Sequence, residues 1–168
     1  TMFSFNLRKA PFDNLKVRQA LYHAINREVL NERSCYGAAI VSDSPFPPTV
    51  KAYYNPAFVY EYDPRKAEQL LDEAGYRRGA DGWRFSMDMT TSLNAISIKQ
   101  LEIMSEMYRA VGINAKASPL DYALQVQKVM IDWNFDTNLV TAKAGPDPCV
   151  AIARFFTSDN IIKAAWKN

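Results

Sequence analysis

Apolar residues along this chain recur at two spacings, and the switch between them predicts its elements. Val17, Leu21, Ala24 and Ile25 fall at i, i+4, i+7 and i+8, the buried stripe of a helix. That helix follows a short extended segment at Phe5, a turn at Pro11 and an Asp13/Asn14 cap, and it ends before Tyr36 and Gly37. A second helix is predicted over 63–74. Asp63 caps it, Pro64 opens it, Gly75 closes it, and Ala67, Leu70, Leu71 and Ala74 form its inner face. From Trp83 the period drops to two. Trp83, Phe85, Met87 and Met89 alternate with Arg84, Ser86, Asp88 and Thr90, which predicts a half-covered strand over 83–90. Leu101, Met104, Tyr108 and Val111 then mark a helix over 95–111 that stops at Gly112. A strand over 113–117, a helix over 121–133 with Tyr122, Val126, Val129, Met130 and Trp133 inward, and a strand over 135–141 follow. Asp147 and Pro148 open a last helix with Cys149, Ile152, Ala153 and Phe156 inward.

Strand and helix alternate from Trp83 onward, which predicts an α/β fold: a mainly parallel sheet with helices on both faces. The irregular segment 45–62, with Pro45, Pro47, Pro48 and Pro56 among aromatics, is too proline-rich for a helix and too aromatic for a free linker. It is expected to pack over the domain.

Composition narrows the partners. The chain has 168 residues, enough for one domain, 1–168, with a sizeable core. Twenty basic residues against 18 acidic give a net charge of +2, which argues against nucleic acid as the ligand. No apolar run is long enough to span a bilayer. The two cysteines, Cys35 and Cys149, have no metal spacing, and Cys149 reads as a buried thiol.

An open α/β sheet binds ligands beyond the carboxyl ends of its strands, where loops and helix N-termini meet. Three segments qualify. Thr91, Ser92 and Asn94 offer small hydroxyl and amide groups; 118–121 holds Asp121; and 141–147 holds Thr141, Lys143 and Asp147. Asn94, Asp121 and Asp147 also read as helix caps, and Lys143 as a solvated loop residue. Catalytic readings find little support. His23 is the sole histidine and sits on a helix far in sequence from these segments, which leaves a Ser-His-Asp or Cys-His arrangement without a base there. Asp81, Asp88 and Asp121 propose no acid–base pair. Ligand clusters for a metal and a glycine-rich phosphate loop are both missing, so no cofactor is expected.

The string from Phe5 to Arg27, FNLRKAPFDN followed by VRQAL and AI, resembles the start of the C-terminal lobe of extracytoplasmic solute-binding proteins of family 5. These are the peptide-, nickel- and opine-type receptors that feed ABC importers. Tyr62 to Tyr76 resembles the family's "YDP-x-KA-x-x-LL-x-EAGY" element, and Phe155, Phe156 and Ser158 match its "FF-x-S". The resemblance implies a type II periplasmic-binding-protein-like lobe that captures a small or peptide-like solute without chemistry. Its implied partners are an N-terminal lobe of the same native chain and a membrane permease. It implies a periplasmic home, or a lipoprotein anchor in a Gram-positive host. The opening Thr1, Met2, Phe3 and Ser4 has no secretion signal, so the resemblance implies that the native chain begins upstream. Peptide receptors of the family carry "W-x-x-D" before "DP", the aspartate pairing with the ligand's α-amino group. Here Asp147 and Pro148 are preceded by no such pair. Thr141 or Ala142 stands near the tryptophan position, Ala144 or Gly145 near the aspartate, and Lys143 between them. That departure points from a free dipeptide towards an anionic solute. The other classes open to this sequence are a small α/β enzyme using the same strand ends and an interaction module presenting 45–62.

Overall fold

The computed structural model describes residues 1–44, 46–56 and 59–141. The first strand, β1 (Met2–Phe5), leads through a loop to α1 (Leu15–His23), whose N-cap Asn14 accepts from the Lys16 N–H. Val17, Ala20 and Leu21 of α1 are fully buried, with Ala24 and Ile25 beyond it, as the 3.6-residue spacing predicts. The helix does not run on to Cys35. It breaks after Ala24, where Asn26 takes an extended backbone and caps a second helix, α2 (Arg27–Cys35), by accepting from the Val29 N–H. Asparagine at that position competes with helix continuation by offering its own carbonyl to the next turn. Tyr36 closes α2 in the left-handed region, at φ 55°.

Of segment 45–62, the described residues Phe46 and Tyr60 pack inward. Phe46 is buried against Tyr53, and Tyr60 stacks on Tyr22 with ring centroids 5.3 Å apart. The next helix, α3 (Pro64–Glu73), is capped by Asp63 and lies along α1. Lys16 of α1 donates to Glu73 at 2.9 Å, and Gln69 donates to the other carboxylate oxygen at 3.0 Å. The Lys16 hydrogen bond, followed by that of Gln69, holds the Glu73 carboxyl below its usual range. A depressed folded value means the pair stabilises above the ordinary value of about 4.3 and is lost as pH falls through the folded one. Lys16→Met should therefore raise the Glu73 midpoint towards about 4.3 in an NMR titration; an unmoved midpoint would remove Lys16 as the cause.

The sheet is built by β1, β2 (Phe85–Ser92), β3 (Ile113–Leu120) and β4 (Thr137–Val140), in the order β1-β4-β2-β3. Strands β3 and β4 both run parallel to β2, while β1 lies antiparallel on the edge beside β4. The sheet is thus mainly parallel, with one antiparallel edge. Between β2 and β3, α4 (Ala95–Ala110) packs its buried Leu101, Met104 and Tyr108 towards Met87, Met89, Ile113 and Ala115. The opposite face is crossed by α5 (Tyr122–Val126), which continues as a π-helical turn over Gln127–Ile131. Helices therefore cover both faces.

Strand β2 departs from its predicted form in two ways. Trp83 and Arg84 precede it, and its last turn of alternation fails because Thr90 and Thr91 are both fully buried. The α5 segment covers the second face there, so the strand is half-covered only at Ser86 and Asp88.

Candidate functional site

In register, Ser92 of β2 stands opposite Leu120 of β3, and Thr91 of β2 opposite Leu139 of β4. Three parallel strands thus finish together, and their exits are Leu93, Asp121 and Thr141. The N-termini of α4 and α5 open at the same end. Asn94 caps α4 by accepting from the Ser97 N–H at 3.1 Å, and Asp121 caps α5 by accepting from the Leu124 N–H at 3.0 Å. Their side-chain oxygens complete helix ends, as their positions predict.

The sequence-predicted ligand residues divide by depth. Ser92 is half-buried, and Asn94 and Thr141 are exposed on the rim. Thr91 lies beneath it, with no exposed surface and its hydroxyl donating to the Leu139 carbonyl at 3.0 Å. It holds β2 to β4 instead of facing solvent. Lys143, Asp147 and Cys149 lie outside the described residues, as does the last predicted helix. Cys35 is half-buried and forms no disulfide within the described residues.

Two groups of polar residues on the sheet do not follow from apolar spacing. Below the rim, Asn138 accepts from the Gln125 side chain at 2.7 Å and from the Thr90 hydroxyl at 3.3 Å. All three are buried. Such a network is stable only if its members are paired, and here it fastens α5 to β2 and β4. The inner face of α5 is therefore set by Gln125 and, four residues on, Val129, while Tyr122 turns outward and is 73% exposed. The expectation that Tyr122 faces inward is not met: it opens α5 at the end of the strands, three residues before Gln125, and stands clear of the sheet. Leu93 and Ile96 are likewise exposed beside it.

A second polar cluster lies on the sheet face nearer the amino ends of the strands. It lines an open groove of about 440 Å³ with Ser86, Asp88, Asn114, Lys116, Ser118 and Asp136. Asp88 accepts from the Ser118 hydroxyl and from Lys128 at 3.1 Å, while Asp136 accepts from the Asp88 N–H at 2.8 Å and pairs with Lys9 at 2.5 Å. Each carboxylate is matched by a lysine, so this cluster ties the π-helical turn and the β1–α1 loop to the sheet. Among the described residues no three His, Cys, Asp or Glu side chains gather to hold a metal ion. His23 uses Nδ1–H to donate to the Glu61 carbonyl at 2.8 Å and meets Tyr60 edge-on, which fixes it as a staple for the loop. No helix among the described residues is long and apolar enough to cross a membrane.

Among the described residues, small polar groups and helix N-termini collect at the strand ends, and the one carboxylate placed there above, Asp121, serves as a helix cap. Comparison with known proteins defines the class. The family described as bacterial extracellular solute-binding proteins, family 5 (Middle), matches residues 1–163, and the chain belongs to it. Heme-binding protein A of Haemophilus influenzae is 36% identical over 119 residues, covering 71% of this chain and 21% of that protein. The dipeptide-binding protein of Escherichia coli is 30% identical over 141 residues, covering 79% of this chain and 26% of that one. The crystal structure of a dipeptide binding protein from Pseudoalteromonas sp. SM9913 in complex with Met-Leu aligns at a TM-score of 0.77 and 33% identity, over 88% of this chain and 29% of that one. The chain thus spans between a fifth and a third of the length of these relatives, all named as binding proteins.

Proposed function

We propose that this chain is part of the C-terminal lobe of the substrate-binding component of an ABC importer, and that its strand-end rim forms one wall of a solute cleft. The observation that carries the reading is the meeting of Ser92, Asn94 and Thr141 with two helix N-termini at the carboxyl end of the sheet, in a chain of the family-5 class. In this reading the N-terminal lobe of the native chain supplies the other wall. The lobes close over the solute by hinge motion, and the closed complex delivers it to a membrane permease. Capture involves no chemistry. The protein acts in the periplasm, or as an anchored lipoprotein in a Gram-positive host.

The solute is peptide-like, opine-like or another anionic metabolite. Support comes from Lys143, which stands where peptide receptors of this family have their amine-pairing region, and from the N-terminus of α4, whose partial positive charge favours an anion. A thermal-shift screen of the full-length receptor against peptides, opines, sugars and anionic metabolites tests the reading, since a bound solute raises the melting temperature by mass action. Calorimetry with the best compound should then show Lys143→Met weakening binding by about 1–3 kcal/mol, the scale of a charge-assisted hydrogen bond. Unchanged affinity would return Lys143 to a solvated loop. Tight binding of ordinary dipeptides by the wild type would defeat the charge argument.

A further inference from the structure

We propose that Asn138 is a positioning residue for solute binding: through Gln125 it fixes α5, and with it the β3–α5 corner at Asp121, against the ends of β2 and β4; this rests on the receptor reading above. The contacts are direct. Asn138 Oδ1 accepts from Gln125 Nε2 at 2.7 Å and from the Thr90 hydroxyl at 3.3 Å. The same hydroxyl reaches the Thr137 carbonyl at 2.9 Å, and Thr90 stands opposite Asn138 in the β2–β4 register. All three side chains are buried, and Asn138 is only 1% exposed, so it acts at the rim through other residues. Each member lies beneath one rim position. Thr90 precedes Ser92 by two residues, Asn138 precedes Thr141 by three, and Gln125 follows Asp121 by four. At about 3.3 Å per strand residue, the network sits roughly 7–10 Å below the two strand exits. One set of hydrogen bonds thereby holds three elements at one depth under the site.

How little else holds α5 gives the second argument. A helix of five residues does not hold itself in water, and Gln125 is its only buried side chain. Tyr122, Ala123 and Leu124 are exposed and Val126 is half-buried, while Val129, the next buried residue, lies in the π-helical turn beyond. Packing therefore locates α5 weakly, and the Gln125–Asn138 bond locates it closely. Stability alone does not call for that bond, because exchanging both partners of a buried hydrogen bond for apolar groups of the same shape can be nearly neutral. What the bond adds is direction: its short, oriented geometry admits one placement of the helix, where an apolar contact admits several.

The test compares Asn138→Leu and the double variant Gln125→Leu/Asn138→Leu with the wild-type full-length receptor, by calorimetry and by amide hydrogen exchange. The probes are glycyl-leucine, octopine, citrate and glucose, one from each class of the screen, together with the compound that shifts melting most. The double variant leaves no donor stranded, since the Thr90 hydroxyl keeps the Thr137 carbonyl, and it should melt close to the wild type. If its freed corner occupies the present position about one-tenth of the time, Kd rises about tenfold. That loss is expected in both variants, with α5 amides exchanging faster and those of β2 unchanged. A double variant that binds as the wild type does overturns the inference, because Asn138 then serves the fold alone. So does weaker binding with unchanged exchange in α5, which places the cause elsewhere. Should Asn138→Leu fail to fold, the double variant decides. A wild type that binds none of the compounds removes the receptor reading and this inference with it; one that binds, beside a double variant that binds equally, removes this inference alone.

Discussion

Tyr108→Ala should destabilise this fold by about 3–5 kcal/mol, the range for removing a fully buried aromatic from a core. Tyr108 is the largest fully buried side chain among the described residues, and burial pushes its phenol far above the usual tyrosine range. Its ring stacks on Phe3 with centroids 6.4 Å apart, Phe3 meets Phe5 edge-on at 5.3 Å, and Phe5 stacks on Phe12 at 6.1 Å. Phe12 in turn meets Phe85, and Phe85 meets Tyr76. One aromatic chain therefore joins α4, β1, the loop before α1, the start of β2 and the turn after α3. Deleting the ring at Tyr108 opens a cavity that α4 and β1 cannot both close, because the β1–β4 ladder fixes Phe3 opposite Leu139. The check is urea unfolding followed by circular dichroism, with Tyr108→Phe as control. The control keeps the packing and should cost less than about 1.5 kcal/mol. A loss below about 1 kcal/mol for Tyr108→Ala would mean the site collapses freely and the aromatic chain is not a structural unit.

The same residues show why the fold could be read from apolar spacing. Leu101, Met104 and Tyr108 repeat every three or four positions because one face of α4 meets one face of the sheet, and Met87 and Met89 repeat every two because that sheet face meets α4. Where an element is covered on one side only, period and burial agree. They part where covering is two-sided or polar. Thr90 and Thr91 look like an alternating pair, yet both are buried because α5 lies over one and the sheet hydrogen-bonds the other. The break between α1 and α2 leaves no mark on apolar spacing, because Leu21, Ala24 and Ile25 fall at helical intervals up to the stop and only the Asn26 cap reveals it.

The strand-end rim was legible in outline, and the exposure of Tyr122 was not. Parallel topology alone sends Ser92, Asn94 and Thr141 to one rim, since β2, β3 and β4 share a direction. The spacing of Tyr122, Val126 and Val129 predicts an inward stripe, and Gln125, three residues after Tyr122, lies on that side and is held there by Asn138; Tyr122 itself is exposed, in the first turn of α5 where the strands have ended. The signal was present in the sequence as polar Thr90, Thr137 and Asn138 at strand positions that apolar patterning would fill. Polar residues in two neighbouring strands at the same height are a cue that a polar side chain from a third element joins them.

Arg84→Met should cost about 2–4 kcal/mol, more than the loss of its acidic partner, because the arginine serves backbone carbonyls before it serves charge. Its side chain is only 3% exposed. It donates to the Val111 carbonyl at 2.9 Å, to the Tyr76 carbonyl at 2.7 Å, and to the Asp72 carboxylate. These three lie at the end of α4, in the turn after α3, and in the last turn of α3, so one guanidinium joins both helix ends to the start of β2. Asp72 is half exposed, and an ion pair with one wet partner contributes about 0–1 kcal/mol. Removing the fork instead leaves two part-buried carbonyls without these donors, at up to about 1–3 kcal/mol each less what relaxation recovers. Asp72→Asn should therefore cost about 1 kcal/mol or less, while Arg84→Lys, which offers a single ammonium in place of a planar fork, should fall between the two. Urea unfolding of the three variants ranks them. If Asp72→Asn proved as costly as Arg84→Met, charge pairing would be the dominant contribution, and the joint between α3, α4 and β2 would have to weaken with added salt as exposed ion pairs do.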